Sequence, residues 1–163
     1  MRGDITRVSI DAIVNAANEK LTGGGGVDGA IHKAAGPTLQ QELSSYDGCP
    51  RGQAVVTGGG NLPSRFVFHA VGPAWTDGQH DEPRLLASAY LACLEHAQKL
   101  GLESLAFPSI STGIYGYPIE LAAPLALKTV ADFLLAYGCP KRAVFVLFSS
   151  SDYEFYRAAL QRL

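Results

Sequence analysis

Two glycine-bearing loops, two amides and one carboxylate stand out among the residues able to do chemistry. Gly23-Gly24-Gly25-Gly26 is followed by Val27 and by a helix expected to begin near Asp28. Glycines at a helix N-terminus bare backbone N–H groups, and the helix dipole adds about half a positive charge there, so a phosphate is the natural guest. Ser109 to Pro118 repeats the arrangement with Ser111, Thr112, Gly113, Ile114 and Tyr115, again ahead of a helix. Two such loops can hold two phosphates. A charge-assisted hydrogen bond contributes about 1.5–3 kcal/mol and micromolar binding needs about 8 kcal/mol, so about four or five backbone donors are enough without basic side chains. The alternative for each loop is a tight connection with no ligand.

Asn15 and Asn18 bracket two alanines at the end of an apolar run. An amide donates and accepts at once, which suits vicinal ribose hydroxyls; an Asx-turn is the structural alternative at both positions. Asp28 is either the N-cap of its helix or a carboxylate that orients a water beside bound phosphates as a general base. His32, one turn further on the same face, reads as a packed or surface histidine, and Asp4, in a short polar turn, as a solvated carboxylate. Gly24 to Gly29 satisfies G-x-G-x-x-G, but Ala16 to Thr22 separate these glycines from the strand and no acidic strand terminus follows. The dinucleotide fingerprint is therefore incomplete. Four histidines and three cysteines show no ligand spacing, so neither a metal nor a cofactor is expected. No G-x-S-x-G elbow surrounds Ser109 or Ser111, which leaves a serine hydrolase without support. Cys49 and Cys139 each precede proline, and Cys93 falls on a buried helix face, so a Cys-His enzyme is no better supported.

The elements that must position these groups alternate. Ile10 to Asn15, Gln53 to Thr57, Phe66 to Val71, Ser104 to Phe107 and Ala143 to Phe148 read as strands. Helices are expected from Asp28 to before Gly36-Pro37, over Thr38 to Ser44, and over Pro83 to Leu100, where Leu86, Ala89, Cys93 and Ala97 recur at helical spacing. Another begins at Ile119, and a last one covers Asp152 to Leu163. Alternation of this kind implies a sheet covered by helices on both faces, with ligands at loops that follow strand C-termini.

A length of 163 residues leaves room for one domain spanning 1–163. The 47% hydrophobic and 17% charged content excludes wholesale disorder. Thirteen Lys and Arg against fifteen Asp and Glu, with no basic cluster, argue against nucleic acid as a partner. The longest apolar run, Ala143 to Phe148, is far short of the roughly 20 residues of a membrane span. Scattered cysteines and a start without an apolar leader point to the cytoplasm.

Taken in order, Gly3-Asp4-Ile5-Thr6, Asp11 to Asn18, Gly23 to His32, Val71-Gly72-Pro73 and Ala106 through Pro118 resemble the macro domain family, its MacroD-type branch in particular. The resemblance covers nearly the whole chain. It implies a three-layer α/β/α fold with a mixed central sheet and a cleft for ADP-ribose. In that cleft Asp4 and Ile5 would meet the adenine, and Gly25, Gly26, Val27 and Ser111 to Tyr115 would cradle the diphosphate. Asn15 would join the ligand-binding set, Asn18 would bind the distal ribose, Asp28 would be the catalytic carboxylate, and Tyr115 would pack on the distal sugar. The implied activity is hydrolysis of ester-linked groups from ADP-ribose, on O-acetyl-ADP-ribose or on proteins mono-ADP-ribosylated at Asp or Glu. A non-catalytic module that reads ADP-ribose is the alternative; a nicotinamide-dependent oxidoreductase is a weaker third. Two departures stand out. Only Met1 and Arg2 precede the Gly-Asp-Ile-Thr motif, so either the usual first edge strand is missing or the start lies late. Arg51 occupies a turn position where threonine is common in the branch, and reads as a surface arginine.

Overall fold

The computed structural model describes residues 1–163. Five strands, β1 (Ala12–Ala16), β2 (Ala54–Gly58), β3 (Phe66–Ala70), β4 (Ser104–Phe107) and β5 (Arg142–Phe145), form one sheet in the order β2-β3-β1-β4-β5. The β2–β3 pair is antiparallel and all others are parallel, so the sheet is mixed. Successive residues of β1 face opposite sides: Ala12 and Val14 join one apolar core, Ile13 the other. That period of two is what lets both faces be covered.

Helices α1 (Gly26–Ala35) and α2 (Pro37–Leu43) bury Ile31, Ala35, Leu39 and Leu43 on one face. On the other face lie α3 (Glu82–Lys99), α4 (Ile119–Tyr137) and α5 (Ser150–Gln161), through Leu86, Tyr90, Ala126 and Tyr156 among others. The result is the expected three-layer α/β/α arrangement.

The β5 ladder ends at Phe145, three residues short of the expected strand. Val146 and Leu147 stay apolar for other reasons: both are buried, and Leu147 forms an isolated parallel bridge with Arg2. Met1 O accepts from Leu147 N at 2.9 Å, and Gly3 N donates to Leu147 O at 2.9 Å. The residues ahead of Asp4 thus meet the sheet through this one bridge. Even so, the segment after it is held in place, because Asp4 caps a 3₁₀ turn over Ile5–Arg7 and Ile5 is buried.

Candidate functional site

A cavity of about 650 Å³ opens where the loops after β1 and β4, central neighbours in the sheet, leave its C-terminal edge. Asp4 and Ile5 line it together with Leu147, Phe148 and Asp152; Asn18, Gly25, Gly26, Val27 and Asp28 line it with Ser111, Thr112, Gly113, Ile114 and Tyr115. Asn15 is the exception among the expected site residues. It is fully buried in β1 and stands behind Asp28, not on the cavity wall.

The first loop turns into α1 at Gly26, whose φ of 58° lies in the left-handed region that favours glycine. Gly25 is the N-cap, without a side-chain bond, and the first helical bond runs from Gly29 N to Gly25 O. The N–H groups of Gly26, Val27 and Asp28 therefore have no intrahelical partner. Helix α1 begins two residues earlier than expected, so Asp28 is not its N-cap. Its side chain is turned to other partners.

The second loop is held from behind. Ile110 N donates to the Tyr90 hydroxyl at 3.0 Å, and the Tyr156 hydroxyl bonds Ser109 Oγ at 2.9 Å. Burial raises the pKa of both tyrosines, which keeps them protonated. Ser111 has φ 68°, strained for a non-glycine residue, and its buried Oγ has no partner. Gly72, from the Val-Gly-Pro motif, makes room for this turn: a Cβ there would overlap Ser111 Oγ and Ile110. No protein group accepts from the N–H of Thr112, Gly113, Ile114 or Tyr115. Two rows of free backbone donors thus border one cavity, the arrangement an anion requires.

Between them sits Asp28, 6% exposed. Its Oδ1 accepts from Asn15 Nδ2 at 2.8 Å and lies 3.2 Å from His32 Nε2. Oδ2 accepts from no protein group, and Asp28 borders the cavity. His32 is therefore neither a free surface group nor simple packing; it holds the carboxylate. A carboxylate fixed through one oxygen and open at the other can bind and polarise a water.

Asn18 is engaged within its own loop, donating from Nδ2 to Thr22 O at 2.7 Å and accepting from Thr22 N at 3.1 Å. The Asx-type alternative describes this side chain, and one Nδ2 hydrogen remains unused. Asp4 is likewise bonded, its Oδ1 accepting from Thr6 Oγ1 at 2.7 Å and Thr6 N at 3.0 Å, which lowers its pKa. Arg51 is more than a surface charge: its Nε donates to Glu19 Oε1 at 2.8 Å and its guanidinium lies 5.9 Å from the centre of the Tyr115 ring. It thereby joins the two loops at their rims.

Phe148 falls at the end of the expected last strand but lies beyond β5. It is 83% exposed on the cavity wall, an aromatic without apolar cover. An aromatic at a strand's C-terminal end was the signal available. Asp77 and His80, in the loop before α3, also gather with Glu82, the first residue of that helix. The Glu82 oxygens accept there from the N–H groups of Thr76, Asp77, Gly78 and His80 and from the Thr76 hydroxyl, an arrangement that closes the loop on itself.

A three-layer α/β/α domain with a cleft bordered by free backbone donors at the C-terminal edge of a mixed sheet is the class that fold and site define. The macro domain family model matches residues 14–126, and the chain belongs to that family. It is 52% identical over 167 residues to a macro domain-containing protein of Caldanaerobacter subterraneus subsp. tengcongensis, covering 100% of this chain and 95% of the relative. It is 51% identical over 164 residues to the O-acetyl-ADP-ribose deacetylase of Escherichia fergusonii, covering 98% and 93%. Among solved structures, the Oceanobacillus iheyensis macrodomain with ADP superposes with a TM-score of 0.94 at 45% identity, covering 98% of this chain and 87% of the other. The Trypanosoma brucei macrodomain in complex with ADP-ribose gives 0.92 at 41% identity, covering 98% and 67%.

Proposed function

We propose that this chain, acting as one domain in the cytoplasm, binds ADP-ribose and hydrolyses esters on its distal ribose. Its substrates on this reading are O-acetyl-ADP-ribose and proteins mono-ADP-ribosylated on Asp or Glu. The observation that carries the reading is Asp28: one oxygen bound by Asn15 and His32, the other open to a cavity bordered by free N–H groups. Similarity to a deacetylase along the full chain supports the same chemistry.

In this reading the diphosphate lies between Gly25–Val27 and Ser111–Tyr115, where the six unpaired N–H groups of Gly26, Val27 and Thr112 to Tyr115 exceed the about four or five that micromolar binding requires. The adenine takes the end formed by Asp4, Ile5 and Phe148. Asp4 accepts from its amino group, and the exposed Phe148 ring offers a face for stacking. The distal ribose then reaches Asp28, with the spare Asn18 hydrogen toward its hydroxyls and Tyr115 beside the sugar.

Hydrolysis follows from that placement. Asp28 Oδ2 accepts a proton from a water as the water oxygen adds to the ester carbonyl carbon, with help from the substrate's own diphosphate. The tetrahedral intermediate collapses with cleavage of the bond to the ribose oxygen. The proton returns to that oxygen, and a carboxylic acid and ADP-ribose leave. A pure binding module needs the two loops but not a buried carboxylate with a free oxygen beside the sugar. Acetate release from O-acetyl-ADP-ribose, alongside calorimetric titration with ADP-ribose, tests the proposal: binding with turnover is expected, and binding without acetate release would refute the hydrolase.

A further inference from the structure

Behind Asp28 runs a chain of polar groups that never reaches the cleft. Asn15 on β1 stands opposite His69 on β3 in the parallel ladder, and both are fully buried. Asn15 Nδ2 lies 2.8 Å from Asp28 Oδ1 and 3.1 Å from His69 Nδ1. On the far side of the ring, His69 Nε2 lies 2.9 Å from Thr57 Oγ1, and that hydroxyl lies 3.0 Å from Gly58 O. Neither His69 nor Thr57 lines the cavity.

The proton order along this chain follows from its two ends. A carboxylate only accepts, so the Asn15 NH₂ faces Asp28 and, through the same nitrogen, His69 Nδ1; at the far end the Thr57 hydroxyl hydrogen points to Gly58 O. The Thr57 oxygen is then left to accept, and His69 must carry its hydrogen on Nε2. Burial, and secondarily the nearby His32, push the His69 pKa down to about 3, so the ring stays neutral and Nδ1 is an acceptor. Only the Asn15 amide can supply that hydrogen. Its NH₂ must therefore face His69, and the same NH₂ faces Asp28. Turned the other way, Asn15 Oδ1 would oppose both a carboxylate oxygen and a ring acceptor. The orientation holds although it leaves Asn15 Oδ1 buried without a partner.

We propose that Thr57 and His69 are positioning residues that lock the Asn15 amide with its NH₂ toward Asp28. Oδ1 is then always the tethered oxygen and Oδ2 always the one presented to water. The inference rests on the hydrolase reading for its kinetic consequence, and on geometry alone for the proton order.

The test pairs one spectrum with two variants. In wild-type protein carrying isotopically labelled imidazoles, long-range proton–nitrogen correlation is expected to show His69 neutral with its hydrogen on Nε2 throughout the neutral pH range. Thr57→Val keeps nearly the same shape but removes the hydroxyl. It is expected to let both His69 tautomers appear and to lower kcat for acetate release by about tenfold or more, the scale of a small misplacement. ADP-ribose Kd should stay within about twofold, because the backbone donors are untouched. Thr57→Ser should restore both the tautomer and kcat. A hydrogen on Nδ1 in the wild type, an unchanged kcat in Thr57→Val, or a Ser variant as impaired as the Val variant would each overturn the proposal. Should Thr57→Val fail to fold, the wild-type tautomer decides alone, since Nδ1–H would reverse the amide. Wild-type protein inactive on the ester but carrying the Nε2 hydrogen would refute the hydrolase and leave the proton order supported.

Discussion

Asp28 and Glu82 are two carboxylates in the first turns of their helices, both nearly inaccessible, with opposite fates. Glu82 accepts five hydrogen bonds, at 2.6 to 3.1 Å, through both its oxygens. Asp28 is tethered through Oδ1 only, by side chains from β1 and from its own helix. Burial alone does not make a carboxylate reactive. What separates the two is an oxygen without a protein partner at the wall of a cavity large enough for a ligand.

That contrast is broken or sharpened most strongly by removing the first carboxylate. Asp28→Ala is expected to cut kcat for ester hydrolysis by about a hundredfold or more, with ADP-ribose Kd changed only a few-fold, in parallel kinetic and calorimetric measurements. Stability should also fall by about 1–3 kcal/mol in denaturant melts, because the buried Asn15 amide loses its acceptor. A variant that loses stability while keeping its turnover would make Asp28 a structural group like Glu82.

Next in size is Gly72→Ala. Its Cβ would push into Ser111 and Ile110 and displace the second loop, so ADP-ribose affinity should weaken by about tenfold with an overpacking cost of about 1–3 kcal/mol. Titration and thermal melts read the two effects separately.

Glu82→Gln should differ from Asp28→Ala in turnover: its Tm is lowered by a few degrees while kcat per folded molecule is unchanged. Burial works against the Glu82 charge, but the N–H groups of Gly78 and Thr76 and the Thr76 hydroxyl hold its pKa well below the usual range. A depressed folded-state pKa contributes stability that is fully present above the unfolded value of about 4.3 and is lost as pH falls below it. The wild-type Tm should therefore drop more steeply than that of Glu82→Gln on acidification below that value.

The smallest effect is expected for Tyr156→Phe, which removes one bond to Ser109 from behind the second loop. A loss of about 1 kcal/mol in stability and at most a twofold change in ADP-ribose Kd would fit a brace shared with Tyr90.

The sheet, the helices and the cleft-lining loops were legible in the residues because their signals are local. Strand β4 was delimited to the residue between Glu103 and Pro108, and the glycines of the first loop marked the start of α1 to within two positions. The apolar run after Ala143 misled because it serves two purposes, a ladder through Phe145 and then a cleft wall ending at Phe148. Less legible was everything that depends on partners distant along the chain. His69 lies 54 residues from Asn15 and 12 from Thr57, and only strand register brings the three together. In sequence, therefore, Asn15 reads as a ligand contact and His32 as packing, whereas in the fold both stand against the Asp28 carboxylate. Glu82, an ordinary first-turn acid in sequence, acquires its role only when the preceding loop folds back over it.

The most direct test of the central claim is a crystal structure of the protein soaked with ADP-ribose. The diphosphate is expected between Gly25–Val27 and Ser111–Tyr115, and the distal ribose beside Asp28 with a water bridging it to Oδ2. A distal ribose directed away from Asp28, or a third partner occupying Oδ2 in the complex, would contradict that claim.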